Sequence, residues 1–290
     1  MTTVTIGLPV FNGQRFLRAC LDSLLAQSFA DFDLIVSDNA STDATPAIID
    51  EYARRDPRIR VERSATNQGA VWNHRRVLAL AHGRYFKWCG ADDACHPDFL
   101  RMCMDALAEN PDAVLAYAMT EVIDEGGAPL ARTSERLPLG SPDVVQRFTA
   151  LMSAISVTQN PYYGLMRRAS LEQVQPMGTF LASDRCLLGQ LALLGPFVEV
   201  PAFLMYRRQH AGNQRTHTED QRFLHPGVRD RFRTREWRVL REHLGAIARA
   251  PVRLSTKVRL LTGIAKWVVR QRGDLAAEVR ALLRPRRRFA

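Results

Sequence analysis

The chain has 290 residues, 46% hydrophobic and 24% charged, the balance of a soluble globular protein long enough to bury a full core as one large domain or as a domain with an appendage. Its formal net charge of +10 is unevenly placed. Residues 221–290 carry +14 and residues 1–220 carry −4, so the basic character belongs to the C-terminal quarter and does not by itself mark a nucleic-acid binder.

No apolar run reaches the roughly 17 residues of a membrane span, and no basic-then-apolar leader opens the chain. Five cysteines without a Cys-x-x-Cys pair speak for reduced thiols in a cytosolic protein, not for a disulfide frame or a zinc site. Residues 4–9 are a β-branched run closed by Pro9 and read as a buried strand, broken at Asn12-Gly13. In residues 15–28, Phe16, Leu17, Cys20, Leu21, Leu24 and Leu25 recur at helical steps. Residues 32–37 form a second strand, and Asp38 to Asp43 a dense turn with helix-capping residues. A helix carrying Ile48, Ile49 and Tyr52 on one side follows, then a short strand over 59–62 and a turn at Asn67-Gln68-Gly69. Residues 71–81 are helical and residues 85–88 are a strand. Residues 99–109 are a helix and residues 112–120 a strand, before a Gly-, Pro- and charge-rich loop over 121–142. The spacing predicts a helix over 144–152, a loop entering a strand over 160–167 and an apolar helix over 185–194. It also predicts an edge strand over 197–206, interrupted by Pro201.

Strand and helix alternating at this spacing predict a parallel α/β sheet, with ligands at the carboxyl ends of its strands. Asp38 and the pair Asp92-Asp93 fall at such ends. Two adjacent carboxylates repel each other, and a hard divalent cation, Mg2+ or Mn2+, would relieve that repulsion; the competing reading is a solvated turn with an acidic helix start. The sequence holds no Gly-x-Gly-x-x-Gly after the first strand, no P-loop and no Gly-x-Ser-x-Gly elbow.

Together these pieces resemble the family 2 inverting glycosyltransferases. The carrying segments are Thr5-Ile-Gly-Leu-Pro-Val-Phe-Asn-Gly13, Leu34-Ile-Val-Ser-Asp-Asn-Ala-Ser-Thr-Asp43, Asn67-Gln-Gly69 and Asp92-Asp93, in order within residues 4–210. The resemblance implies a GT-A fold, a Rossmann-like αβα sandwich with a mostly parallel sheet. It implies a catalytic domain over 1–220, to which the composition adds a basic helical extension over 221–290. It implies a metal-dependent enzyme that moves a sugar from a nucleoside-diphosphate donor, UDP- or dTDP-type, to a hydroxyl of a glycan or lipid-linked acceptor, with inversion.

By the same resemblance, Pro9, Phe11, Asn12, Asp38, Asn67, Gly69, Asn73 and Asp92 would bind the nucleotide sugar. His74 or Arg75 would supply a basic contact. Asp93 and His210 would bind the metal, and Asp184 would be the catalytic base. This chain departs from the family pattern at Phe11, often Tyr, at Ser37, usually Asp, and at Asn39, usually Gly. Read without the resemblance, Ser183-Asp184 is equally a helix cap, His210 a loop histidine, and Trp72, Trp88, Tyr162 and Tyr163 core residues or liners of an acceptor cleft. His217 is given no site role.

In the tail, Leu254, Val258, Leu261, Ala265 and Val268 mark one helical face, with Arg253, Lys257, Lys266 and Arg270 largely elsewhere. With Trp267, such a helix could lie on an anionic membrane or pack on the catalytic domain; the basic run over 284–288 is expected to be unstructured. The expected location is cytoplasmic, peripheral on the inner membrane face. The rival functions are a nucleotidyltransferase on a related fold, for which residues 11–15 are a poor glycine-rich loop, and a non-catalytic basic surface-binding protein.

Overall fold

The computed structural model describes residues 2–133, 137–153, 160–213 and 234–283. Its strands are β1 (Val4–Val10), β2 (Phe32–Asp38), β3 (Ile59–Arg63), β4 (Tyr85–Trp88), β5 (Ala94–Cys95), β6 (Leu115–Ile123), β7 (Pro129–Thr133), β8 (Leu165–Arg167) and β9 (Phe197–Arg208). They form one sheet in the order β3-β2-β1-β4-β8-β6-β9-β5, with β7 paired to β6. β1, β2, β3 and β4 are mutually parallel, and β6 and β9 run the same way because β8 is antiparallel to both β4 and β6. Six strands therefore end at one rim.

β1 sits at the centre between β2 and β4, so almost every residue in it is buried and the run is apolar on both faces. Gly7 lets the helix above come close: a Cβ there would stand 2.7 Å from Val77 and 2.8 Å from Phe86.

Helices cover both faces. On one lie α1 (Leu17–Leu25), α2 (Thr45–Arg55) and α4 (Phe99–Glu109), which bury Leu17, Leu21, Ile49 and Phe99 against Ile6, Leu8 and Val36. On the other lie α3 (Ala70–Ala79) and α7 (Ser183–Leu194), packed on Ile35, Phe86, Trp88 and Leu115. α5 (Val144–Ser153) and the one-turn α6 (Arg168–Leu171) complete this part. α7 is apolar all round because it is covered twice: Leu187, Leu188 and Leu191 meet the sheet-side core, while Cys186 and Leu193 meet the C-terminal helices.

Those helices are α8 (Arg235–Arg249), α9 (Leu254–Arg270) and α10 (Arg272–Leu283). Val239, Ile247, Leu260, Ile264 and Trp267 pack with Phe148 and Met152 of α5. Of the two readings of the α9 face marked by Leu254, Val258 and Leu261, packing on the domain does not hold: these side chains point to solvent, and Trp267 is core. α9 carries two apolar stripes, and periodicity alone does not tell which of them meets the protein.

Two further expectations are corrected. The stretch read as a loop over 121–142 contains the end of β6 and all of β7, joined by a turn in which Asp124 Oδ1 accepts from the Ala128 N–H at 2.8 Å and Gly127 has φ 94°. β7 is solvent-exposed on an edge, so it shows no apolar alternation. β9 runs on through Pro201, because its register on β6 skips from Val200 to Phe203; the missing proline N–H falls in that bulge.

The expected boundary at 220, His217 and the basic run over 284–288 lie outside the described residues. All five cysteines are free and buried. Among the described residues no helix is long and apolar enough to cross a membrane.

Candidate functional site

The loops after β1 and β2 are sewn together at the rim. The Asn12 N–H donates to Ser41 Oγ at 2.8 Å, Asn12 Oδ1 accepts from the Thr42 N–H at 2.9 Å, and the Gly13 N–H donates to Thr45 Oγ1 at 2.8 Å. Asp38, buried at the end of β2, accepts from the Ser41 N–H at 3.1 Å. Phe11 opens the loop after β1 and is 40% exposed, whereas Pro9 is half-buried within β1.

Asn67, Gly69 and Asn73 build the frame of this loop cluster. Asn73 Nδ2 donates to the Ser37 carbonyl at 2.8 Å and to the Val10 carbonyl at 3.3 Å, tying the ends of β2 and β1. Asn67 Oδ1 accepts from the Gly69 N–H at 2.8 Å, and Gly69 adopts φ 88°, a backbone state that favours glycine. Asn39, where the family usually has Gly, clamps the same turn. Its Nδ2 donates to Asn67 Oδ1 at 3.0 Å and to the Gly69 carbonyl at 3.2 Å, and its Oδ1 accepts from the Gln68 N–H at 2.9 Å.

Asp92 and Asp93 follow β4 at the same rim. Asp93 is buried and its Oδ1 accepts from the Arg208 N–H at 3.0 Å, so the end of β9 is joined directly to the acidic pair. Burial, and then the neighbouring Asp92, push the Asp93 carboxyl well above the ordinary value of 3.8. Asp92 Oδ1 and Asp93 Oδ2 each lie 2.9 Å from the point a Cβ on Gly90 would occupy, so the two carboxylates close on one spot. That pairing fits a hard divalent cation, with oxygens of a bound diphosphate and water completing its shell. Among the described residues no group of three His, Cys, Asp or Glu stands ready to hold a metal.

His210 is placed on Asp92. Its Nδ1 accepts from the Gly212 N–H at 3.2 Å, which leaves Nε2 carrying the proton that faces Asp92 Oδ2 at 3.0 Å. With both ring nitrogens engaged, the histidine orients the acid. Its ring packs 4.8 Å from Phe16, under which Arg208 also sits at 5.0 Å.

Asp184 is half-buried in the first turn of α7 and makes no cap hydrogen bond; the cap position is Ala182, at φ 68°. The Tyr163 phenol is held well above its usual pKa by burial first, then by Asp93, Asp92 and Asp184, so it lies in the field of all three carboxylates. Next to it, Tyr162 has a buried hydroxyl without a partner and stacks on Trp88 with centroids 5.0 Å apart. Trp88 donates through Nε1 to the His74 carbonyl at 3.1 Å and is core, not a sugar platform. Burial lowers the His74 imidazole, and its Nδ1 donates to the Ala70 carbonyl at 2.9 Å, so it faces the site as a neutral ring. Arg75 donates to the Met177 carbonyl.

Sequence reasoning names Tyr163 only as core or cleft lining and Asn39 only as a departure from the family pattern, and it does not find the clamp of Arg208 on Asp92 and Asp93. It misses one residue altogether, Lys87. Lys87 is buried, donates to the Tyr163 carbonyl and lies 4.0 Å from the centre of the Phe99 ring. Among the described residues, the non-glycine positive φ angles fall at Asn12, Ala40 and Ala182. Each sits in a segment singled out above, as strained backbone at working sites tends to.

A mixed sheet with six co-directional strands, helices on both faces and an acidic pair at the rim defines a GT-A type fold. The chain belongs to glycosyl transferase family 2, whose family model matches residues 5–174. It is 28% identical over 124 residues to a chondroitin synthase of Escherichia coli, covering 43% of this chain and 18% of that protein. Of several curated relatives it matches, the chain spans 18% to 59% of the length.

Two solved structures share the fold. Staphylococcus aureus TarS 1–349 in complex with UDP-GlcNAc superimposes with TM-score 0.69 at 16% identity, covering 92% of this chain and 73% of that one. The mannosyltransferase PcManGT of Pyrobaculum calidifontis, in complex with GDP-Man and Mn2+, gives 0.61 at 18% identity, covering 97% and 74%.

Proposed function

We propose that this chain is an inverting glycosyltransferase of glycan biosynthesis. It would move a sugar from a nucleoside-diphosphate donor, UDP- or dTDP-type, to a hydroxyl of a glycan or lipid-linked acceptor, with residues 1–220 as the catalytic unit. The observation that supports the reading is the pair Asp92-Asp93 closing on one spot after β4, at the rim where the loops after β1 and β2 are joined, with Asp184 in the first turn of α7. The neighbours seen with UDP-GlcNAc or with GDP-Man and Mn2+, and the chondroitin synthase relative, support a nucleotide-sugar donor, a divalent cation and a glycan product.

In this reading the exposed Phe11 ring packs on the nucleotide base, with Pro9 and Asn12 shaping the loop beneath it. Asp38 accepts from the base, and Asn67, Gly69 and Asn73 hold the loops in place. Asp92, oriented by His210, faces the ribose and the cation, and Asp93 binds the cation. A divalent cation held by these acids would supply positive charge against the departing diphosphate. Asp184 accepts the proton of the attacking acceptor hydroxyl. Attack from the face opposite the leaving group inverts the anomeric carbon in one displacement, so no covalent intermediate with the protein forms.

The direct test is a thermal-shift panel of UDP, dTDP and GDP sugars with and without Mn2+, followed by assay of released nucleoside diphosphate. A UDP or dTDP sugar should raise the melting temperature most, and more so with Mn2+. No shift with any donor would sink the proposal.

A further inference from the structure

We propose that the outward stripe of α9 docks the protein on an anionic lipid bilayer. Leu254, Val258, Leu261 and Val269 are 78%, 57%, 43% and 60% exposed, and Ala265 lies between them on the same face. They are part of a wider pattern. Eleven large apolar side chains are exposed among the described residues, and nine of them lie on α8, α9 and α10. Scattered exposed leucines are ordinary, but apolar exposure gathered on one set of helices marks an interaction surface.

The charge selects the occupant. α9 carries Lys257, Arg259, Lys266 and Arg270 and no acid. Arg259 is spent on Asp143 at 2.7 Å, and Lys257 on the Ala248 carbonyl at 2.6 Å. By helical position Lys266 and Arg270 lie beside the stripe on one side, and Arg253 caps the helix at the end where Leu254 stands, all three exposed. An apolar stripe between cations suits acyl chains beneath anionic headgroups. A second copy of the chain suits it poorly, because it would set these cations against their own kind in a region that already carries +14. The helix is held to the protein by its other face, through Leu260, Ile264 and Trp267. Docking therefore needs no unfolding, and the buried Trp267 takes no part in it.

The test uses the full chain and vesicles of phosphatidylcholine, with or without phosphatidylglycerol, in co-sedimentation. Two variants are compared with the wild type: Leu254→Ser with Val258→Ser and Leu261→Ser, and Lys266→Glu with Arg270→Glu. Wild type should sediment with the phosphatidylglycerol vesicles and be released as salt rises. Each variant should bind about tenfold more weakly or worse, with an unchanged melting temperature because none of these side chains faces the core. If the serine variant unfolds, the charge variant decides alone. Binding by both variants at the wild-type level overturns the proposal, as does equal wild-type binding to neutral vesicles or none to either. So does a lipid-free dimer that the serine variant dissolves, which would assign the stripe to a second copy. Turnover of a soluble donor, measured on the same variants, keeps this outcome separate from that of the glycosyltransferase reading.

Discussion

Asp93 holds a charge that its surroundings do not fully stabilise. Buried beside Asp92, its carboxyl is raised above 3.8, so the folded state binds the proton more tightly than the unfolded one. The sign follows from linkage: stability falls as pH rises from that ordinary value through the raised one. Without metal, Asp93→Asn should therefore melt at or above the wild-type temperature at neutral pH, and it should lose the stabilisation that Mn2+ gives the wild type. Melting curves across pH, with Mn2+ or with chelator, check both; a wild type indifferent to Mn2+ would contradict the metal assignment. Tyr163→Phe removes the hydroxyl that burial and the charges of Asp93, Asp92 and Asp184 hold protonated, and leaves the ring's packing. Donor turnover should fall about tenfold or more while the melting temperature holds; unchanged turnover would confine Tyr163 to a packing role.

At this scale the sequence was informative about some residues and silent about others. Acids at strand ends could be read from the turn that follows each strand, which is why Asp38, Asp92 and Asp93 stood out. Asp184 was readable as a cap or a base, and the structure puts the cap position on Ala182 and Asp184 in the first turn of α7. The partners of Arg208 and Asn39 could not be found that way. Their work is done across the fold: Arg208 meets Asp93 over a separation of 115 residues, and no local pattern records such a contact. His210 was legible as a site residue, but its partner was not; only the Gly212 N–H on Nδ1 shows that it serves Asp92.

Among the elements, α7 and α8 share a contact with a defined pH sensitivity. His243 of α8 packs on Phe148 and against Gly189, its Nδ1 has no hydrogen-bond partner, and burial pushes its pKa down to about 4. An unfolded histidine titrates near 6.5, so below that pH the unfolded state takes up the proton first. Stability is then lost as pH falls through the window from 6.5 to 4, by about 3 kcal/mol in all. His243→Gln should flatten melting temperature against pH over that window, and an unaltered profile would contradict the assignment. The clamp on the loop after β3 is a second element-scale device: Asn39→Ala strands Asn67 and Gln68 and should cost about 1–3 kcal/mol, read from denaturant unfolding. Most elements were legible because their apolar spacing is regular. β7 was not, since an exposed edge strand has no buried face to impose alternation.

For the whole molecule, the basic C-terminal helices and the α/β sheet share a core. α7 meets the sheet-side core on one side and α5 and α8 on the other, and α9 packs on α5. A chain ending at residue 220 would bare Phe148, Met152, Cys186 and Leu193, so it should aggregate or melt at a lower temperature than the full chain. A soluble fragment with the full-chain melting temperature would contradict this. The sequence's sharp change of charge at that point is thus a change of surface, carried by helices whose inner faces complete the core beneath α7.

The account depends above all on carboxylates from separate stretches of chain acting together at one rim. The measurement that reaches it most directly compares donor affinity and turnover in Asp184→Asn and the wild type, by calorimetry and by release of nucleoside diphosphate. The account predicts donor affinity within about threefold of wild type and turnover lowered by about 10^2- to 10^4-fold. Turnover at the wild-type level, or a loss of donor binding as large as the loss of turnover, would contradict it.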